Sequence, residues 1–318
     1  MNKFLFIVFV LNIPMHVAAT TLVYGMRVHR LFIQTALLEK ILPNQVEKKC
    51  QSIFSAVPIG QRRKRHFPDI IKNLEQFDKR LIGGSLFNLR CIIKKKWWLE
   101  LTTGLLSESA CESGANNFKA TRTGFDDLLV AAGRNWYPDD KAQIVVQALV
   151  GFPTKRSVTL SDTFGPLVGT RLFSLGCGAE YSYAIKSTIE KSIIGIAQFR
   201  YLHFFNRNWF PILPCKATLI PGETVDFLFA LRYRKNLHAF ELGYNPTIFI
   251  NQAVLLNQVK TKVGTFVSNG VYINYSQFCK RVRFGKKPTI FGCGISASKS
   301  KQFNSKTVAA WISVSIVL

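Results

Sequence analysis

Charged side chains occur at alternate positions inside segments that are otherwise apolar. Ionised groups placed in this way can pair with one another, or they can line a water-filled space and select the ions that enter it. Both uses require the charges to share one face of extended chain. The charged residues that meet this requirement are Arg90, Glu100, Glu180, Arg200, Asp226, Arg232, Arg234 and Glu241, and the polar Gln198 shares their face.

Other residue patterns give weaker chemical signals. None of the five His residues has a serine-nucleophile signature or a metal-ligand spacing beside it. Gly176-Cys-Gly178 and Gly292-Cys-Gly294 lack the rest of a dinucleotide motif and lie inside predicted strands. The seven Cys include no CxxC pair, so neither a zinc site nor a disulfide framework is indicated. We therefore expect no catalytic residue, no metal site and no cofactor.

The densest run of positive charge contains Arg62, Arg63, Lys64 and Arg65. Such a run can be a solvated loop, or it can contact phosphate groups such as those of lipopolysaccharide. A second run, Lys94–Lys96, precedes Trp97 and Trp98 and is typical of an anchor at a membrane interface.

Alternation of apolar and other residues with a period of two predicts the strands. Every second residue from Val308 to Leu318 is apolar, and the contrast is better from Val225 to Tyr233. A soluble β-sandwich also alternates, but segments of about ten residues exceed its usual length of about 5–6. Including the weaker segment 50–58, twelve strands are predicted: 50–58, 81–92, 96–106, 121–134, 142–150, 173–183, 189–204, 225–234, 237–250, 264–278, 291–298 and 308–318.

The connections between these strands alternate in length. Tight turns are predicted at 94–95, 136–140, 186–188 and 235–236, and between them lie links of about 13 to 22 residues. Outer-membrane barrels combine short periplasmic turns with longer external loops. The rhythm therefore favours an all-β fold, an antiparallel transmembrane β-barrel of about 12 strands, over a sandwich. It also places the basic run 61–66 in the first long external loop.

The N-terminal residues have the features of an export signal. Lys3, the apolar run 4–11 and the small residues before position 20 predict a Sec signal peptide over 1–19, cleaved near Ala19. Residues 20–49 are interpreted as a periplasmic lead segment and 50–318 as the barrel. The formal net charge of +24 would suggest a nucleic-acid partner in a cytoplasmic protein. Because export removes the chain from nucleic acid, we expect anionic lipid and lipopolysaccharide as its partners instead.

Over residues 50–318 the chain resembles the outer-membrane β-barrel proteins of Gram-negative bacteria as a class. The resemblance implies a location in the outer membrane and recognition of Thr307–Leu318 by the barrel-assembly machinery. The terminal residue is Leu where the class often has an aromatic residue. Some twelve-stranded members are phospholipases with an external Ser and His, and His238 alone invites that comparison. Without a Ser partner for it, we expect no enzyme activity.

Three functions remain open from the sequence. The leading hypothesis is a passive pore or transport channel lined by Arg90, Glu100, Glu180, Arg200, Asp226, Arg232, Arg234 and Glu241. The second is a structural barrel that binds lipopolysaccharide or another surface through its basic loops. The third is a soluble, secreted basic β-protein.

Overall fold

The computed structural model of the protein describes twelve stretches of the chain, all of which are β-strands or the turns beside them. These stretches are 50–64, 79–93, 96–111, 119–154, 172–188, 190–205, 207–212, 215–220, 222–256, 259–284, 287–300 and 305–317. Within them, no helix is long and apolar enough to cross a membrane. The signal peptide predicted over 1–19, the lead segment 20–49, Arg65 and Leu318 lie outside the described residues.

Fifteen strands form one antiparallel sheet, and each predicted strand coincides with one or two of them. Their bounds are β1 Cys50–Lys64, β2 Lys79–Ile93, β3 Trp97–Cys111, β4 Lys119–Phe125, β5 Leu128–Trp136, β6 Ala142–Phe152, β7 Ser174–Ser187, β8 Lys191–Phe204, β9 Arg207–Ile212, β10 Cys215–Ile220, β11 Glu223–Lys235, β12 His238–Leu256, β13 Val259–Phe284, β14 Lys287–Ser300 and β15 Ser305–Val317.

Twelve of these strands form a closed ring. Each main strand pairs with the main strands next to it in sequence, including β8 with β11 and β11 with β12. One further pairing, between β1 and β15, joins the two ends. The segment 50–58, which the sequence marked only weakly, is therefore the start of the strand that closes the barrel. Closure leaves the main ring without a free edge, which is the requirement for a sheet that crosses a membrane.

The three additional strands are extensions of the ring. β4 and β5 pair with successive parts of β3 and form one interrupted strand, broken at Asp126 and Asp127. β9 and β10 form a hairpin that prolongs β8 and β11, and β10 pairs with the far end of β12. Links expected near 205–222 and 251–263 are thus largely strand, because the long hairpins continue to pair beyond the predicted ends.

The basic run also differs from its predicted place. Gln61–Lys64 belong to β1, where Arg62 pairs with Leu81 and Val308, and Lys64 pairs with Lys79 and Lys306. The prediction that this run lies in an external loop was therefore wrong for residues 61–64. Pairing on both sides extends β1 over residues whose polarity gave no strand signal.

The tight turns carry the residues that their geometry requires. Asn236, in the two-residue turn between β11 and β12, has a φ of 51°. Asparagine tolerates this left-handed conformation better than most residues, which suits it to a two-residue hairpin turn. The turn fixes the register in which Arg232 faces Glu241 across the hairpin.

Candidate functional site

The two faces of the barrel wall differ sharply in chemistry. Large apolar side chains such as Leu89, Phe229, Leu242 and Ile312 are exposed on the outer face. The side chains at the alternate positions of the same strands are buried on the inner face. Many of them are Arg, Glu, Asp, Asn, Gln, Ser or Thr. A soluble barrel has the reverse arrangement, so this wall is built to face lipid outside and polar groups inside.

Aromatic residues gather at the end of the barrel that carries the tight turns. Trp97, Trp136 and Tyr137 are exposed there, and the Arg134 guanidinium lies 5.1 Å from the Trp97 ring centre and 4.9 Å from that of Trp136. Such rings are typical of the boundary between the hydrocarbon and the head groups. The interpretation of Trp98 as part of this anchor was wrong: it is buried on the inner face, because successive residues of a strand point to opposite sides.

The predicted lumen residues all lie on the inner face. Arg90, Glu100, Glu180, Arg200, Asp226, Arg232 and Glu241 are buried there, and Arg234, near the end of β11, is half-buried on the same face. The seven buried residues form two groups, a charged belt and a separate buried pair, and Arg234 belongs to neither group.

The charged belt consists of Arg90, Glu100, Glu180, Arg232 and Glu241. Arg232 donates to Oε2 of Glu241 through Nε at 2.8 Å, and Nη2 of Arg232 lies 2.7 Å from the same oxygen in an ion pair. Arg90 and Glu100 form a longer ion pair of 3.8 Å. The Glu180 carboxylate interacts electrostatically with Arg232, Arg90 and Glu241. Because β2 and β7 are separated by three strands of the ring, the belt reaches across the lumen.

Neutral partners hold the belt in place. The Tyr272 hydroxyl donates to Glu241 at 2.5 Å, and the Ser182 hydroxyl donates to Glu180 at 2.9 Å. The Arg90 guanidinium lies 4.0 Å from the centre of the Trp98 ring, in cation–π geometry. The sequence did not predict these partners, because a Tyr, Ser or Trp carries no charge that would mark it. Each of them nevertheless occupies an inward-facing position in the alternation of its strand.

The separate buried pair joins Arg200 to Asp226 on neighbouring strands. Arg200 donates to Asp226 through Nε at 2.9 Å and through Nη2, and the Thr247 hydroxyl donates to the other carboxylate oxygen at 2.7 Å. The two charged side chains are 0% and 1% exposed. A charge pair so completely removed from water is held by its own hydrogen bonds.

Inward glycines make room for inward indole rings. A Cβ on Gly133 would lie 2.3 Å from the Trp98 ring, and one on Gly294 would lie 2.3 Å from the Trp311 ring. Each indole N–H donates to an amide oxygen on a nearby strand, Trp98 to Asn135 at 3.2 Å and Trp311 to Asn274 at 3.3 Å. The small residues at these two inward positions therefore serve packing inside the barrel.

Metal-binding groups and His238 were the two sequence features that bear on catalysis. The described residues contain no group of three or more His, Cys, Asp or Glu that could hold a metal ion. His238 is exposed on the outer face, where Nδ1 lies 2.7 Å from the Tyr275 hydroxyl. The absence of enzyme activity stays a prediction.

The closed twelve-stranded ring, the apolar exterior, the aromatic rim and the polar interior together define the fold of bacterial outer-membrane β-barrels. No family model and no curated protein matches the sequence. Among solved structures, an outer membrane channel from Pseudomonas putida F1 superposes with a TM-score of 0.60 at 10% identity, over 85% of this chain and 96% of that one. At this identity the likeness shows a shared fold.

Two autotransporter domains superpose less closely. The β domain of the Bordetella autotransporter BrkA has a TM-score of 0.46 at 9% identity, with 85% of this chain and 100% of that one covered. The translocator domain of NalP from Neisseria meningitidis has a TM-score of 0.44 at 11% identity, with 94% and 99% covered.

Proposed function

We propose that the protein is a passive channel of the bacterial outer membrane, with the charged belt as its narrowest point. The observation that carries the proposal is that charges from β2, β3, β7, β11 and β12 converge inside a barrel whose outer face is apolar. Arg and Glu rings at a constriction set which ions pass a pore. The outer membrane channel from Pseudomonas putida F1, which shares this fold, agrees with this function.

Polar atoms without protein partners support a hydrated lumen near the belt. Within the described residues, both polar atoms of the Gln147 amide and one carboxylate oxygen of Glu180 have no hydrogen-bond partner in the protein. Buried polar atoms are nearly always satisfied, and those that protein does not reach are met by water. Water in the lumen beside the charged belt would hydrate an ion that passes through it.

The belt residues are at the same time tightly packed, so the passage we propose is narrow. A twelve-stranded barrel lies between eight-stranded barrels with filled interiors and sixteen-stranded porins with open channels. We propose that the pairs Arg232–Glu241 and Arg90–Glu100 restrict the lumen and that ions pass where they separate. The burial of the same pairs is the observation behind the second candidate, a non-conducting barrel that binds a surface through its basic loops.

Planar-bilayer recording of the refolded full chain tests the channel. We expect small, discrete conductance steps from the wild type, and larger steps from the double variant Arg232→Ala/Glu241→Ala, because removing the pair widens the constriction. Arg62→Gln is the matched control and should leave the steps unchanged, because Arg62 lies nine residues along β1 from Ile53, the register partner of the belt residue Arg90. Silence from both the wild type and the widened variant would remove the channel function.

The remaining expectations about location and partners belong to the same proposal. We propose Sec export with cleavage near Ala19, insertion into the outer membrane through recognition of Thr307–Leu318 by the barrel-assembly machinery, and lipopolysaccharide contact at residues 62–65. The outward apolar residues of β15, including Val308 and Ile312, support membrane insertion. Fractionation of cells that express the chain tests the location, and a soluble secreted protein would instead be found in the medium.

A further inference from the structure

A depression on the outer face of the barrel lies away from the lumen. It spans β7, β8, β11, β12 and β13 and has a volume of about 640 Å³. Its floor is Gly195 and Ala197, two successive outward positions of β8. Each floor residue is flanked in register by larger residues on both neighbouring strands, namely Tyr183 and Leu231 beside Gly195, and Tyr181 and Phe229 beside Ala197. We call this depression the outer groove.

The outer groove is open space bounded by ordered walls. A Cβ added to Gly195 would meet only Cδ1 of Ile185, at 3.7 Å, so nothing from the protein fills the floor. On one wall, the Tyr181 and Tyr183 rings stack with their centres 6.4 Å apart and their planes at 14°. An apolar groove on a lipid-facing wall suits a hydrocarbon chain, because its walls offer the chain close van der Waals contacts on more than one side.

Two lysines lie beyond one end of the outer groove. Lys191 lies four residues from Gly195 on β8, Lys235 lies four residues from Leu231 on β11, and the two are direct register partners. Like charges directly opposite each other on neighbouring strands destabilise a sheet. Both side chains are exposed, and among the described residues neither ammonium group lies within 4.0 Å of a carboxylate. An anion placed between them would remove the repulsion.

We propose that the outer groove and this lysine pair bind one anionic glycerophospholipid. One acyl chain lies over Gly195 and Ala197, and the phosphate lies between the ammonium groups of Lys191 and Lys235. Four residues of strand span about 13 Å, a distance that a glycerol unit and the first methylenes of a chain cover. The site requires membrane insertion but not conduction, so it goes beyond the channel function and can fail separately from it.

Charge argues against a second copy of the chain as the occupant. Two copies inserted in the same direction and meeting at this face about a two-fold axis would bring both lysine pairs together. Four ammonium groups at one contact repel each other, whereas a phosphate attracts two. The groove therefore matches a lipid better than a symmetric dimer.

Native mass spectrometry of the delipidated full chain tests the proposal, with added phosphatidylglycerol or phosphatidylcholine as the probe. We expect one phosphatidylglycerol to be retained by the wild type and bound about thirtyfold more weakly by Lys191→Gln/Lys235→Gln, since each basic residue near an anionic surface contributes about fivefold. Lys299→Gln/Lys306→Gln is the matched control, because these lysines are also exposed register partners but lie far from the groove. It should bind as the wild type does.

A second pair of variants tests the acyl-chain part of the site. Gly195→Leu/Ala197→Leu fills the floor and should abolish retention, whereas Ala148→Leu/Ala310→Leu, at outward positions elsewhere, should not. Each variant is first shown to refold by its heat-modifiable mobility, and if the filled variant does not fold, the lysine variants decide. Equal retention by wild type and Lys191→Gln/Lys235→Gln would overturn the proposal, as would a dimer that the filled variant alone dissociates.

Discussion

The buried pair Arg200–Asp226 allows the state of the lumen to be measured through stability. Asp226→Asn removes the negative charge but keeps the size of the side chain and an oxygen that can accept from Thr247. Arg200 would then remain 0% exposed without a carboxylate partner. The variant isolates the cost of one uncompensated charge at this depth.

The loss in free energy of unfolding caused by Asp226→Asn shows whether the Arg200–Asp226 pair is dry or hydrated. Removing one member of a buried ion pair costs about 3–5 kcal/mol, whereas an exposed pair contributes about 0–1 kcal/mol. From the burial of both groups we expect Asp226→Asn to lower the free energy of unfolding by about 3–5 kcal/mol. Replacing both partners, with Arg200→Met/Asp226→Leu, should recover much of the loss, because no unpaired charge is left in the site.

The assay is urea unfolding of the refolded barrel in lipid vesicles, followed by tryptophan fluorescence and by the mobility shift on heating. The matched control is Glu223→Gln, which removes the 3.6 Å contact with His203 on the same two strands, where the side chains are 29% and 43% exposed. We expect less than about 1 kcal/mol for the control. Equal small losses for Asp226→Asn and Glu223→Gln would refute the burial argument and show water at Arg200.

Three further predictions concern packing, the lipid face and the basic run. Gly133→Ala should destabilise the barrel by about 1–3 kcal/mol through its clash with the Trp98 ring, and Trp98→Leu in the same chain should restore part of the loss in the same urea assay. Ile295→Arg, at an outward position near the middle of β14, should cost about 2–4 kcal/mol and lower the yield of inserted barrel, while Lys299→Arg near the strand end should not. Replacing the four cations of residues 62–65 by Gln should weaken binding to lipopolysaccharide-coated surfaces and make it less sensitive to salt; unchanged binding would locate the contact elsewhere.

The main strands of the fold could be predicted from local sequence alternation. Period-two alternation marks every main strand, because the outward residues must be apolar to meet lipid and the inward ones are free to be polar. Alternation stops where a strand leaves the apolar zone. The ends of β1, β12 and β13 were therefore missed, although pairing with neighbours continues there.

The sequence by itself determined the fold class, the number of main strands and the face that Arg90, Glu180, Arg232 and Glu241 occupy. Each of these follows from the alternation of apolar and polar residues within a single strand. Only the tertiary structure decided which of these charges meet. Arg232 reaches Glu241 because a two-residue turn fixes their register, whereas Glu180 lies near Arg90 only because β1 pairs with β15 and closes the ring. Whether a side chain points inward or outward is set within one strand, but closure of the barrel depends on the twist and stagger of all twelve strands together.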